Sequence, residues 1–365
     1  MTPPPPPVVS SAPPVITPPP LAPRPRAGRG WMLLSIALMV LLAAICLRFV
    51  AHSFLAVLSS ARGGSSRHNL QEVVEEEADS NNKILVIDID GIISGDIIDG
   101  TGHNMVAAIK ERLKMAALDS DVKAVLLKVD SPGGEVLAAD DIAREIAAFQ
   151  KDTLKPVIAT MGSMAASGGY YISAPCRWIV ANELTITGSI GVIMHGWNYR
   201  ALMDKVGIKP QVYKSGKFKD MLSGEKSPEE ILPEENTMVQ SLIDQTYARF
   251  TNVVATGRAA AQKMNMSKGQ PLARNWPQYA DGRILSGRDA QQYGFVDELG
   301  NFDTAVERAK LMTGISSASL IRYQQPFELS NLLRFFAKSD AKNLKIEFGP
   351  ELPKLRMGRL YFLMP

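Results

Sequence analysis

Residues 124–134 read AVLLKVDSPGG and residues 156–171 read PVIATMGSMAASGGYY, and these two stretches decide the fold. Each begins with a short apolar run that is typical of a buried strand and then passes into a glycine-rich turn. A helical pattern follows each turn, over residues 137–151 in the first case and directly after Ser167 in the second. Strand, turn and helix in this order predict parallel βαβ units.

The alternation of strands and helices extends on both sides of these units. Upstream, KILVIDI (83–89) predicts a buried strand, and residues 104–118 place apolar side chains at helical spacing. Downstream, the pattern predicts one more strand over residues 178–181 and then three helices over residues 234–256, 285–296 and 303–312. The sequence therefore predicts an α/β domain over residues 83–315, with a linker at 59–82 and a C-terminal tail at 316–365.

The first 58 residues differ in composition from the rest of the chain. Of the 24 prolines, 12 lie between residues 3 and 25, so residues 1–30 predict a disordered tail that buries too little apolar surface to fold. Residues 31–47 carry no charge, and the apolar pattern continues past Arg48, which can snorkel to the interface. Residues 31–58 therefore predict a single transmembrane anchor, and a secretory signal cleaved near Ala61 is the alternative.

Charge is also unevenly distributed along the chain. Residues 1–71 carry six arginines and no acid, whereas the rest carries 34 basic and 37 acidic side chains, a net of −3. A near-neutral folded part argues against nucleic acid as a partner. Three arginines lie on each side of the apolar run, so the positive-inside rule leaves its orientation open.

The cysteines and histidines indicate no metal or other cofactor. Cys46 and Cys176 lie far apart in the sequence. The four histidines show no metal-ligand spacing: His52, His68, His103 and His195.

Two glycine-rich turns follow two of the predicted strands, Gly133-Gly134 in the first case and Ser167-Gly168-Gly169 in the second. Backbone N–H groups at a strand-to-helix junction are free to bind an anion, so two such turns facing one another would form an oxyanion hole. A serine nucleophile also needs a base. The residues alone leave that choice open among His103, His195, Lys214, Lys217 and Lys219.

Five motifs then follow one another along the chain. They are SPGG (131–134), MAASGGYYISAP (164–175), TGSIGV (187–192), KSGKFKD (214–220) and ADGRILSGRDA (280–290). In order and spacing they resemble the signal peptide peptidase A (SppA) family of serine peptidases. The resemblance covers residues 83–312 and includes one copy of the motifs, as in the short, single-repeat form of that family.

The resemblance implies a role for individual residues. Ser167 matches the nucleophile, Lys219 matches the general base, and Ser189 matches the serine that orients this lysine. Gly134 and Gly168 match the positions whose backbone N–H groups bind the oxyanion. The implied activity is that of a serine endopeptidase with a Ser-Lys dyad, which needs no cofactor.

The resemblance also implies an architecture and a setting. The family folds as a ClpP/crotonase-like spiral of ββα units and forms ring-like homo-oligomers, in which nucleophile and base can come from different subunits. Its members cleave remnant signal peptides and other apolar peptides on the non-cytoplasmic side of the membrane. For this chain, that implies a cytoplasmic N-terminus, a single pass through the bacterial inner membrane and a periplasmic catalytic domain.

The end of the C-terminal tail is not a hallmark of the family. It reads LRMGRLYFLMP (355–365), which is both basic and apolar. This composition leads to the hypothesis that the end of the tail occupies the binding groove of a neighbouring subunit.

Three alternatives to the Ser-Lys peptidase stay open. A Ser-His peptidase of the same fold would use His195, which lies 28 residues after Ser167. A crotonase-type acyl-CoA enzyme shares the fold and an oxyanion hole but does not need Ser167 together with Lys219. A non-catalytic membrane scaffold would keep the fold, and the complete set of Ser167, Lys219 and Ser189 argues against it.

Overall fold

The computed structural model describes residues 37–42, 48, 70–96, 104–324 and 360–364. The chain divides into two compact units, Met1–His68 and Asn69–Pro365. In the first unit, residues 37–42 are helical and exposed. Within the described residues, none of the helices has the length and apolar character that a bilayer span requires. The predicted disordered tail, most of the predicted anchor and the first part of the linker lie outside the described residues.

The second unit is built on a nine-stranded mixed sheet. Seven of its strands follow the order β1-β10-β2-β3-β5-β6-β9, while β7 pairs with β5 and β8 pairs with β7. Its strands are β1 (Gln71–Glu76), β2 (Lys83–Asp90), β3 (Val122–Ser131), β5 (Val157–Ala166), β6 (Trp178–Ala181), β7 (Ile186–Gly188), β8 (Ile284–Ser286), β9 (Glu298–Leu299) and β10 (Ser319–Gln324). A separate pair consists of β4 (Gly133–Glu135) and β11 (Tyr361–Leu363). The central pairings are parallel, whereas β1 runs antiparallel to β10 and β8 antiparallel to β7.

Helices alternate with strands along the chain, as the sequence predicts. They are α1 (Met105–Leu118), α2 (Val136–Thr153), α3 (Gly168–Ser173), α4 (Arg200–Lys205), α5 (Pro233–Met264), α6 (Gly287–Gln292) and α7 (Phe302–Thr313). The longest, α5, has 32 residues and begins with Pro233 in its first turn, where the missing N–H costs nothing.

One predicted helix is divided in the structure. Residues 285–296 were expected to form a helix, but Leu285 belongs to β8 and the helix α6 ends at Gln292. The physical reason is Ser286, whose side chain accepts a hydrogen bond from the Asp289 N–H and caps the helix there. Upstream of this cap, the chain is free to pair with β7.

The core explains why the central strands are apolar throughout. Alternate residues of β2 face opposite sides of the sheet, so Leu85 belongs to one buried cluster and Val86 to the other. The second cluster also contains Ala305 and Ala309 of α7. Burial of each large aliphatic side chain stabilises the fold by about 1.5–3 kcal/mol. A sheet that is covered on both faces therefore reads as continuous apolar runs.

The sheet extends beyond the range predicted for the peptidase domain, which was residues 83–315. Strand β1 lies in the predicted linker and β10 in the predicted tail. They pair with each other, and β10 pairs in parallel with β2. The two chain segments that flank the predicted domain therefore complete one edge of its sheet.

Candidate active site

Ser167 lies in a strained turn between β5 and α3. Its backbone has φ 53° and ψ −114°, and the residue is only 1% exposed. A non-glycine residue in this region costs about 1–3 kcal/mol, which the surrounding structure must supply. The Tyr171 N–H donates a 2.8 Å bond to the Ser167 carbonyl and holds the first turn of the helix. The turn thus fixes a serine at a strand end where a helix begins.

Ser189 occupies the equivalent place on the neighbouring strand. Strands β5 and β7 run parallel, with Ala166 opposite Gly188, so Ser167 and Ser189 are the first residues beyond two paired strand ends. Ser189 also has a positive φ of 49°, and its N–H donates a 2.7 Å bond to the Arg283 carbonyl. The structure therefore brings these two predicted site residues to one edge of the sheet.

The two glycine-rich turns are in close contact. A Cβ atom on Gly133, whose φ is +103°, would lie 2.6 Å from the Gly168 nitrogen. A Cβ atom on Gly168 would lie 3.0 Å from the Gly134 nitrogen. The Ser131 hydroxyl holds the first turn by accepting a 3.1 Å bond from the Gly133 N–H. The backbones of Gly134 and Gly168, the predicted oxyanion donors, therefore approach each other beside Ser167.

Lys219, the predicted general base, is exposed. Its neighbours are engaged elsewhere, since Lys214 forms a 2.6 Å ion pair with Asp220 and Lys217 a 3.0 Å ion pair with Glu234. Among residues 104–324, no hydrogen bond or ion pair joins the Lys219 ammonium to either serine of the site. Within one chain, the structure does not bring Lys219 to the buried Ser167.

The structure describes one of the two histidine alternatives. His195 is exposed, and His103 lies outside the described residues.

A pocket of about 370 Å³ opens beside Ser189. Its polar lining includes Asp281, whose pKa is lowered to about 2, first by its side-chain hydrogen bond with Arg283. The described residues that line this pocket include no lysine. They are Ser189, Ile190, Gly191, Val192, Ile193, Ile243, Asp244, Tyr247, Asp281, Gly282 and Leu363.

The two tyrosines that follow the Ser167 turn, Tyr170 and Tyr171, pack in the core. The Tyr170 hydroxyl donates a 3.0 Å bond to the Phe295 carbonyl, and the Tyr171 hydroxyl donates a 2.6 Å bond to Asp140. Burial raises the pKa of both phenols, and for Tyr171 the bond to Asp140 raises it further. Both tyrosines therefore remain neutral and anchor α3 beneath the serine.

A feature that sequence reasoning did not locate is the strand β11. Its residues pair antiparallel with β4 of the same chain, with Tyr361 opposite Glu135, Phe362 opposite Gly134 and Leu363 opposite Gly133. The apolar run LYFLMP (360–365) was the only sequence feature that pointed to this strand. The tail hypothesis had placed this segment in a neighbour's groove, whereas here it lies against the glycine turn of its own chain.

Comparison with known proteins gives concordant matches. Residues 149–316 match the family model Peptidase family S49. The chain is 37% identical over 265 residues to an Enterococcus faecium protein designated as signal peptide peptidase SppA, covering 70% of this chain and 71% of the relative. It is 36% identical to Protease 4 of Haemophilus influenzae, covering 63% of this chain and 34% of that protein. It is 32% identical to the chloroplastic serine protease SPPA of Arabidopsis thaliana, covering 59% and 30% of the two chains.

The matches show a serine peptidase, and the mixed α/β fold with a strained serine beside two glycine turns agrees with that class. The chain belongs to peptidase family S49, in the group that includes SppA and Protease 4. The family resemblance read from the five motifs is thereby confirmed. The roles of the individual residues stay predictions.

Proposed function

We propose that this protein is a membrane-anchored serine endopeptidase that degrades remnant signal peptides and other apolar peptides through a Ser-Lys dyad. The observation that carries the proposal is the position of Ser167. It lies in a strained turn at a strand end, and the backbone nitrogens of Gly134 and Gly168 approach each other beside it. A nucleophile next to two convergent N–H groups is the arrangement that acyl transfer needs.

The proposed reaction has two steps. Neutral Lys219 takes the proton of the Ser167 hydroxyl as the serine oxygen attacks the scissile carbonyl carbon, and the N–H groups of Gly134 and Gly168 stabilise the oxyanion. When the tetrahedral intermediate collapses, the lysine ammonium returns the proton to the leaving amine and an acyl-enzyme remains. Water then attacks the ester, again with Lys219 as the base, and releases the peptide acid and free Ser167.

In this proposal, Lys219 reaches Ser167 from another subunit of a ring-like homo-oligomer. Two observations support this assignment. Lys219 is exposed in its own chain, and the pocket beside Ser189 contains no lysine of the described chain. An incoming ammonium would meet the Ser189 hydroxyl there. Removal from water on assembly would lower the lysine pKa towards the range that a base needs.

The finer features of the fold and location belong to the same proposal. The domain is assigned the ClpP/crotonase-like spiral on the basis of its βαβ alternation and the five motifs. The uncharged run 31–47 is assigned to a single membrane anchor in the bacterial inner membrane, with the catalytic domain on the periplasmic side. Apolar peptides that are left in the membrane would then be accessible to the site.

Mass spectrometry after reaction with a fluorophosphonate probe tests the dyad. We expect an adduct on Ser167 in the full-length oligomer, and we expect the Lys219→Ala variant to lose it. Lys217→Ala is the matched control, because Lys217 lies two residues away and forms an exposed ion pair with Glu234. Retention of the adduct in Lys219→Ala and its loss in His195→Ala would instead establish a Ser-His peptidase.

A further inference from the structure

A chain of alternating charges joins the turn that carries Lys219 to the helix α5. The Asp220 carboxylate forms ion pairs with the ammonium groups of Lys214, at 2.6 Å, and of Lys226, at 3.5 Å. Lys226 also forms a 2.5 Å ion pair with Glu235, which lies in the first turn of α5. Four side chains therefore connect this turn to the N-terminal end of the longest helix.

Three of these charged groups are shielded from water. The side chains of Glu235, Lys226 and Asp220 are 4%, 8% and 14% exposed. Removing charges from water costs free energy even when they are paired, so a buried ion pair is a poor source of stability, and its best-attested use is to fix one arrangement of the chain. The pKa of Asp220 is lowered, chiefly by its hydrogen bond with Lys214, and the pKa of Lys226 is raised, chiefly by its bond with Glu235. Both groups therefore stay charged at neutral pH.

The turn has few backbone ties to the rest of the domain. Residues 216–222 belong to neither a strand nor an α-helix. Their backbone hydrogen bonds are local, such as the 3.0 Å bond that the Met221 N–H donates to the Phe218 carbonyl. Leu222 has a positive φ of 66°, a conformation that persists only where the surrounding structure imposes it. The buried charges supply a tie between this turn and the body of the domain.

Lys219 differs from the three other lysines of this region. Lys214, Lys217 and Lys226 each pair with a carboxylate, whereas Lys219 has no ion pair in the part of the chain that the structure describes. Asp220 nevertheless follows Lys219 directly in the sequence. A free carboxylate at that position would attract the Lys219 ammonium and raise its pKa, which opposes its action as a base. Because Asp220 is paired with two other lysines, Lys219 stays available.

We infer that Asp220 and Lys226 are positioning residues for Lys219, because the buried charges fix its turn on α5 and hold the Asp220 carboxylate away from the proposed base. This inference rests on the proposed function, in which Lys219 takes the proton of Ser167 in a neighbouring subunit. Asp220 and Lys226 contact neither the substrate nor the reacting atoms in this scheme. They act through Lys219 alone.

The pH dependence of Ser167 labelling by a fluorophosphonate tests the inference in the full-length oligomer. The first variant, Lys226→Met/Glu235→Met, replaces the buried pair with apolar side chains of similar length and leaves neither charge of that pair uncompensated. Asp220 then keeps only Lys214 as a partner, and its less balanced charge should raise the pKa of Lys219. We expect the limiting labelling rate at neutral pH to fall about tenfold or more, and the acidic limb of the pH–rate profile to move to higher pH.

The second variant, Asp220→Asn, should move the acidic limb in the opposite direction. It removes the carboxylate and leaves the positive charges of Lys214 and Lys226 less balanced near Lys219, which lowers the pKa of Lys219. The limiting rate should still fall, because the turn loses its tie to α5. The probe concentration that gives half the limiting rate should stay within about threefold of the wild-type value, because the probe does not contact these residues.

A matched control removes an exposed pair between the same two segments. Lys217 and Glu234 form a 3.0 Å ion pair in which both side chains are more than half exposed. Lys217→Met/Glu234→Met should leave the labelling rate and the acidic limb unchanged, because exposed pairs contribute little. Circular dichroism and oligomer mass show that each variant is folded and assembled.

The other charged groups near Lys219 are the same in both test variants. They are Lys214, Arg200, Glu225, Glu230 and the Lys217–Glu234 pair around the turn, and Asp244 and Asp281 in the pocket proposed to receive Lys219. The direction in which the acidic limb moves therefore reports on the altered side chains.

Opposite movements of the limb in the two variants support the inference. Limbs that move in the same direction, or do not move, would overturn it, because a general loosening of the fold predicts no opposite signs. If the double variant does not assemble, Asp220→Asn still decides, since it keeps the Lys226–Glu235 pair, and an unmoved limb there would overturn the inference.

The Lys219→Ala oligomer separates this inference from the proposed function. Labelling of Ser167 at the wild-type rate in that variant would refute Lys219 as the base. Lost labelling in Lys219→Ala, together with unmoved limbs in the two test variants, would refute the positioning role alone.

Discussion

The backbone N–H of Ser167 donates a 2.9 Å hydrogen bond to the carbonyl oxygen of Gly188, the residue that precedes Ser189. This bond continues the pairing of β5 with β7 by one residue and holds the two serines at neighbouring strand ends. The proposed nucleophile and the serine that is proposed to orient its base are therefore positioned by one backbone ladder. Their relative placement does not depend on a flexible side chain.

The first prediction concerns Ser189→Ala, which removes one hydroxyl and leaves this ladder intact. We expect kcat for an apolar peptide to fall by about 10- to 100-fold, because in the proposed oligomer Lys219 of the neighbouring subunit would lose the hydrogen bond that orients it. The pH–rate profile should also shift, since the removed Ser189 hydroxyl is the proposed hydrogen-bond partner of the base. Ser163→Ala, at an exposed position on β5, is the matched control. An unchanged kcat and pH profile in Ser189→Ala would show that Ser189 has no part in positioning the base.

The second prediction concerns the two glycine turns. In Gly168→Ala the new methyl group would lie 3.0 Å from the Gly134 nitrogen, within the proposed oxyanion site. We expect kcat to fall by about 10²–10³-fold, the usual effect of losing an oxyanion donor. Gly196→Ala is the control, because a Cβ atom there meets nothing within 4 Å. Near-normal turnover by a folded Gly168→Ala oligomer would refute the assignment.

Local sequence patterns predicted the strands and turns whose structure depends mainly on neighbouring residues. The buried strands β2, β3 and β5 were identified because their apolar runs are continuous, and the turn at Ser167 because glycine follows it directly. The prediction of one helix over residues 285–296 was wrong because it rested on apolar spacing, which does not show that Ser286 caps a helix. The Ser286 cap determines where helix α6 begins, and apolar periodicity alone does not show this.

Long-range pairings could not be predicted from the sequence. Nothing near β1 indicates that it pairs with β10, about 250 residues later along the chain, and nothing near residues 360–365 indicates pairing with β4. The motifs themselves give an order of residues and no distance, so the separation of Lys219 from Ser167 within one chain agrees only with what the family resemblance implied, that nucleophile and base can come from different subunits. The proposed function therefore takes the base from a neighbouring subunit.

The third prediction concerns a buried ion pair that supports the sheet. Arg258 and Asp297 are each about 1% exposed and are bonded to one another, and Asp297 also accepts a 2.8 Å bond from the Ile179 N–H. Asp297→Ala should lower the free energy of unfolding by about 3–5 kcal/mol, because it leaves a buried guanidinium uncompensated. Glu183→Ala, which removes the exposed partner of Arg288, should cost less than about 1 kcal/mol. Chemical denaturation of the full chain measures both, and equal losses would contradict the prediction.

The fourth prediction concerns the thiol of Cys176. Burial raises its pKa to about 12, and the residue is fully enclosed. The thiolate is the reactive form, and at pH 8 only about one part in ten thousand of such a group is ionised. We expect iodoacetamide at pH 8 to leave Cys176 unmodified in the native protein and to alkylate it after denaturation in guanidinium. Peptide mass spectrometry gives the readout, and native alkylation at the rate of a free thiol would contradict the burial.

The fifth prediction tests whether the proposed dyad is shared between subunits. Ser167→Ala chains keep Lys219, and Lys219→Ala chains keep Ser167, so each homo-oligomer alone should be inactive. When the two are unfolded, mixed in equal amounts and reassembled, about a quarter of the sites in a ring with head-to-tail contacts should combine both intact residues. Peptidase activity should therefore return to about a quarter of the wild-type level carried through the same procedure. If both residues had to come from one chain, no mixture could restore activity, so complete inactivity of a properly reassembled mixture would place the base within the subunit.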